Sequence, residues 1–178
     1  MRRSKPLACA VWVVALAIGL SAADVRVTPL ARDGRVWVTF ELADGFTAEV
    51  RDAIKSGLPT RFTYDVELRR SVPFWPDRTL EAVTIAVSVT FDNLTRRHQL
   101  SRMLDGRMDA SRVTEDQEDV RRWLTRFERE PLFQTGGLEP NTEYYVRVRA
   151  HTQPHDSLFF WPWGRSAISG NANFTFIP

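Results

Sequence analysis

Residues 25–42 read VRVTPLARDGRVWVTFEL, and their reading decides the fold. In the second half Val36, Val38, Phe40 and Leu42 alternate with Arg35, Trp37, Thr39 and Glu41, so the apolar set lines one face of an extended chain. VRVTPL is a second extended run, and Asp33-Gly34 stands between the two. Gly supplies the positive φ that a tight hairpin turn demands, so an antiparallel pair is expected here.

The same alternation recurs outward from this hairpin. RFTYDVEL (61–68) puts Phe62, Tyr64, Val66 and Leu68 on one face, and VTIAVSVTF (83–91) does so with Val83, Ile85, Val87, Val89 and Phe91. Asp92-Asn93 then turns the chain into a more polar strand around Arg96–Met103, which reads as a sheet edge. Near the C-terminus, NANFTFI (171–177) offers Ala172, Phe174 and Phe176 as an inward set.

Two segments break the period. Thr47 is placed to cap AEVRDAIKS, with Phe46, Val50 and Ile54 spaced by four and Gly57 as the stop. Thr114-Glu115-Asp116-Gln117 reads as a capping box. Val120, Trp123, Leu124 and Phe127 follow at helical spacing until Pro131, a helix of roughly 14 residues. Arg121, Arg122, Arg126 and Arg129 fall in its later turns, as the helix dipole favours.

The stretch LEPNTEYYVRVRA (138–150) resembles the start of strand F in fibronectin-type-III and other immunoglobulin-like sandwiches. In such folds a tyrosine hydroxyl returns to the backbone just upstream, with Leu138, Pro140 and Tyr144 in the corresponding structural positions here. The expected fold is a mainly β, antiparallel immunoglobulin-like sandwich of seven strands with two inserted helices. A more open antiparallel sheet covered by the helices is the alternative.

The first 23 residues differ in kind. Arg2, Arg3 and Lys5 precede an apolar run from Leu7 to Leu20, and Ser21-Ala22-Ala23 forms a small-residue cleavage pattern before Asp24. This is the plan of a signal peptide cleaved after Ala23, with an uncleaved N-terminal membrane anchor as the alternative. The chain has 24 basic and 22 acidic residues; without Arg2, Arg3 and Lys5 the balance is 21 against 22, or −1. No basic bias toward nucleic acid is left. Cys9 is the only cysteine, so the 155 residues from 24 to 178 would hold together by their core alone, as one domain.

Taken in order, DVRVTPLARDGRVWVTFELADGF, GLPTRFTYDVELRR, VTFDNLTRRHQLSRMLDG, PLFQTGGLEPNTEYYVRVRA and FFWPWG resemble the bacterial exported proteins of the domain-of-unknown-function 4390 family. The resemblance implies an accessory role in the cell envelope, in the periplasm or secreted. It carries over no cofactor and no catalytic residue.

The residues themselves offer little chemistry. After residue 23 there is no cysteine, no Gly-x-Ser-x-Gly, no glycine-rich phosphate loop and no His-Glu-x-x-His. His151 and His155 stand four apart, but Pro154 argues against the helix that would align them on a metal, so no metal site is expected. Two Phe-Trp-Pro clusters are more telling. Phe74, Trp75 and Arg78 lie in one segment, and Phe159, Phe160, Trp161, Trp163 and Arg165 lie in the other, both broken by Pro.

Such loops either pack on each other as a satellite core or stand exposed as an interface. A return along the sandwich by the 14-residue helix would bring both to one end. The reading that follows is a non-enzymatic binding module that docks an envelope protein or the periplasmic membrane face through these aromatics. A module for glycan or another small ligand is the second reading and a hydrolase the third.

Overall fold

A computed structural model describes residues 24–72, 74–154 and 168–178. Among them the chain forms β1 (Asp24–Arg32), β2 (Arg35–Ala43), α1 (Ala48–Lys55), β3 (Thr60–Arg70), β4 (Arg78–Asp92), β5 (Arg97–Leu104), β6 (Arg107–Thr114), α2 (Gln117–Thr125), β7 (Arg126–Gln134), β8 (Thr142–Pro154) and β9 (Ile168–Phe176). The strands build two antiparallel sheets, β1-β2-β7 and β6-β5-β4-β3-β8-β9, in a sandwich-like arrangement with the two helices. The mainly β expectation holds. Among the described residues no helix is long and apolar enough to cross a membrane.

The core forms where the alternating faces meet. Val36, Val38, Phe40 and Leu42 of β2 face Phe62, Tyr64, Val66 and Leu68 of β3, joined by Ile85, Val87 and Val89 of β4 and Val146 and Val148 of β8; all are buried. Burying one such side chain contributes about 1.5–3 kcal/mol, so this layer dominates the stabilising side of folding. Phe40 and Phe127 stack with centroids 4.4 Å apart, and Tyr64 meets Phe127 edge-on at 4.9 Å. The Tyr64 hydroxyl donates to the Leu124 carbonyl at 2.6 Å, so β3 satisfies a backbone oxygen in the last turn of α2.

The first hairpin forms as its sequence dictates. Asp33 and Gly34 take φ of 52° and 74°, and Arg32 opposes Arg35. Thr47 caps α1 by accepting from the Val50 amide at 3.3 Å, and Gly57 ends it at φ 86°. Tyr144 accepts from the Glu139 amide at 2.8 Å, the return bond expected of it, with Leu138 buried beside it and Pro140 exposed.

Three expectations need correction. The strand near Arg96–Met103 is interior, because Asp105-Gly106 (φ 47° and 76°) makes another tight turn into β6, and β6 is the edge. The second helix has 9 residues. Its cap is Asp116, which accepts from the Glu118 amide at 2.8 Å, while Thr114 receives the Asp116 amide. After Thr125 the chain becomes β7, which carries Arg126 and Arg129. Phe127 is thus held by the Phe40 and Tyr64 rings, and the backbone around it pairs with β2. Pro131 is tolerated because β7 is an edge strand, where the missing N–H costs least. Among the described residues nine strands therefore stand where seven were expected.

Candidate functional site

The β3–β4 connection carries the first aromatic cluster. The Trp75 amide donates to the Val72 carbonyl at 3.2 Å and closes a tight turn, with Phe74 inside it at φ 66°. Glycine or asparagine takes that conformation readily; a bulky aromatic residue does so at a cost on the order of 1–3 kcal/mol. Phe74 is fully exposed at 104% and Trp75 is 76% exposed, so neither ring recovers that cost by packing. Arg78 is exposed too and begins β4 opposite Arg70.

The base of this loop is fastened. The Asp77 carboxylate accepts from the Tyr145 hydroxyl and, at 3.2 Å, from Ser71, while the Asp77 carbonyl accepts from Arg69 Nη2 at 2.8 Å. The Tyr145 bond above all holds the Asp77 carboxyl below its ordinary range, with Ser71 and the Arg69 charge assisting. Partial burial, then the bond to Asp77, pushes the Tyr145 phenol up. Arg70 reaches Glu139 at 2.8 Å, and the Glu139 amide meets Tyr144, so the neighbouring corner is tied to the same end. Two exposed rings therefore sit on a rigid mount. Asp77 and Tyr145 were missed in the sequence, although Tyr145 falls on the outward phase of its strand.

Behind the loop, the outer face of the large sheet carries a charge network. Glu67, with its side chain 11% exposed, accepts from Arg147 at 2.7 Å and from Arg149, with Arg69 at 3.5 Å. Asp65 takes His151 at 3.1 Å and the Thr84 hydroxyl at 3.0 Å. Glu67 thus gathers all three arginines, while Asp65 pairs with His151 and the Asp77 carboxylate with Tyr145. Asp65 stands between Thr84 and His151. A hydrolytic triad requires the imidazole in the middle, so this trio lacks that geometry. Among the described residues no three His, Cys, Asp or Glu side chains gather as a metal site.

Phe159, Phe160, Trp161, Trp163 and Arg165 lie outside the described residues, as does His155. The expectation that the two clusters are neighbours therefore falls outside the described residues, but the strand ends that flank the second cluster are described. β8 runs to Pro154, which opposes Thr60, whereas the Phe74-Trp75 loop leaves the other end of β3 at Arg70. Ten residues of strand separate those ends, roughly 33 Å. The physical reason is parity. β6 and β7, on either side of the short α2, each make a pass along the sandwich, so β8 runs antiparallel to β3 and the two strands finish at opposite ends.

No curated protein and no solved structure matches the chain. The family model described as "Domain of unknown function (DUF4390)" matches residues 19–156, which hold every strand from β1 to β8 and both helices, and the chain belongs to that family.

Proposed function

We propose that this chain is an exported, non-enzymatic binding module of the cell envelope, docking a partner protein through the β3–β4 loop. The observation that carries the reading is Phe74: a phenylalanine held at φ 66° and fully exposed has no packing role to explain it. Trp75 beside it adds a large amphipathic ring, and Arg78 a planar donor for carboxylate or backbone oxygen on the partner. Aromatic and arginine side chains are the residue types that anchor protein interfaces. Export rests on the signal-like residues 1–23, with cleavage after Ala23.

The finer fold reading belongs here as well. We infer an immunoglobulin-like strand order, with β1, β2 and β7 in the places of strands A, B and E and with β3, β8 and β9 in those of C, F and G. β4, β5 and β6 then extend the second sheet beyond its usual edge. In such sandwiches the loops at the two ends are the customary sites of recognition, and the Phe74-Trp75 loop is one of them.

The deciding experiment is crosslinking in intact envelopes with wild type and a Trp75→Ala variant, after both give the same melting temperature. Loss of a specific crosslinked protein in the variant supports the reading. Retention of every partner sinks it. Equal recovery of both forms on envelope lipid vesicles or on immobilised glycan, with no crosslinked protein, replaces the protein partner with a membrane or sugar surface.

A further inference from the structure

The large sheet ends in β6, whose outer edge pairs with no other strand among the described residues and so offers unpaired N–H and C=O groups. Ala110 opposes Arg102 of β5 and Met108 opposes Met103, which makes Asp109 the extra residue of a bulge. The bulge sets Met108 on the same face as Ser111 and Val113, the face turned away from the core, where Met108 is 62% and Val113 57% exposed. Asp109 and Arg112 lie toward the other face, only partly buried, each with a partner in its own chain: Arg102 for Asp109 and Asp119 for Arg112. Bulges and charges ordinarily keep a sheet edge from pairing. On β6 they are arranged so that the strand complements itself.

We propose that β6 is the contact of a homodimer, in which β6 of a second copy pairs with it antiparallel about a two-fold axis at Ser111 and joins the two six-stranded sheets edge to edge. A two-fold contact requires one surface to complement itself. With Ser111 opposite its own copy, Arg112 faces the Asp109-Ala110 bulge and Val113 faces Met108. The bulge decides this match, because without its extra residue the count from Ser111 would set Val113 against Asp109. Two apolar pairs, related by the axis, thereby leave water together. The charges agree as well. Arg112 of one copy meets Asp109 of the other, which extends the pairs inside each chain into an alternating row of Arg102, Asp109, Arg112 and Asp119. Moving the axis one residue, to Arg112, would set two guanidiniums opposite each other. This edge is separate from the Phe74-Trp75 loop, and the dimer does not depend on that loop.

The test uses the full chain carrying Cys9→Ser, so that an added cysteine is the only one. Ser111→Cys should form an intermolecular disulfide on mild oxidation, since directly opposed residues bring their Cβ atoms to about 4.5–5.5 Å. Thr175→Cys, also exposed but on β9 at the other edge of the same sheet, should not. Met108→Cys and Val113→Cys should each stay uncrosslinked alone and crosslink when mixed, which reads the register. Sedimentation of the cysteine-free chain should show a reversible dimer, and Val113→Lys, which sets an ammonium against Met108, should raise its dissociation constant about tenfold. Val113 is exposed, so the two forms should melt alike in dilute solution. A chain that stays monomeric up to about 0.5 mM overturns the proposal, as does crosslinking of Thr175→Cys as fast as of Ser111→Cys. A dimer that Val113→Lys leaves intact overturns it too and moves the association to another surface. Crosslinking of Ser111→Cys to a different envelope protein in place of a second copy gives the edge to a partner's strand and sinks the homodimer.

Discussion

At the scale of single residues, Phe74 is the place where local preference and observed conformation disagree most. Natural sequences break such rules chiefly where function requires it. Asparagine tolerates φ 66° far better than phenylalanine, so Phe74→Asn should raise stability by about 1 kcal/mol while weakening docking. Urea denaturation measures the first effect and envelope crosslinking the second; a variant less stable than wild type would mean that the Phe74 ring packs after all. Tyr64 behaves oppositely. Its phenol is buried, which pushes its ionisation far above the ordinary range, and it holds the Leu124 carbonyl. Tyr64→Phe leaves that carbonyl unpaired and should cost about 1–3 kcal/mol in the same denaturation experiment. The inward face of Tyr64 was legible in the alternation, but its hydrogen bond was not. A partner 60 residues away leaves no local pattern.

At the scale of elements, legibility followed turn chemistry and failed where two periods competed. Asp33-Gly34 announced β1–β2, and the same dipeptide at Asp105-Gly106 announces β5–β6 with equal force; only the polar composition of β6 masked it, because an edge strand has no buried face to alternate. Phe127 satisfied a helical period with Val120 and Leu124, yet its partners come from β2 and β3, a tertiary choice that overrode the helical spacing. The start of α2 offers a test. Asp116→Ala removes the cap on the Glu118 amide and should cost about 1 kcal/mol, whereas Thr114→Ala, which the capping-box reading favoured, should cost less. Acid should loosen the same helix. The Arg112 bond holds the Asp119 carboxyl below its ordinary range, and Arg121 does the same for Glu118. A depressed folded pKa contributes stability above the unfolded value and loses it as pH falls through the folded one, so the loss should begin below about pH 4. Melting temperatures from pH 7 to 2.5 should therefore fall less steeply for Asp119→Asn than for wild type.

At the scale of the whole molecule, both sheets share one hydrophobic core, and the sandwich closes where β1 of the small sheet meets β9 of the large one. Closure depends on Gly170. A Cβ there would lie 1.8 Å from the Val25 carbonyl oxygen, backbone that cannot swing aside as a side chain would. Nothing local in ISGNANFTF (168–176) announced that requirement, since a glycine inside a strand reads equally as a bulge or a weak point. The contact is made by chain segments at the two ends of the fold. Gly170→Ala should push β9 away from β1 and destabilise by about 3 kcal/mol, the upper part of the range for overpacking because the obstacle is main chain. Two outcomes separate in urea. If the shared core makes the sheets one cooperative unit, the variant unfolds in a single transition at lower midpoint with unchanged slope. If closure at this edge is what couples the sheets, fluorescence of Trp123, whose indole reaches Ser101 of the large sheet, and of Trp37, on β2 of the small one, will report different midpoints, and unfolding as one domain will have failed.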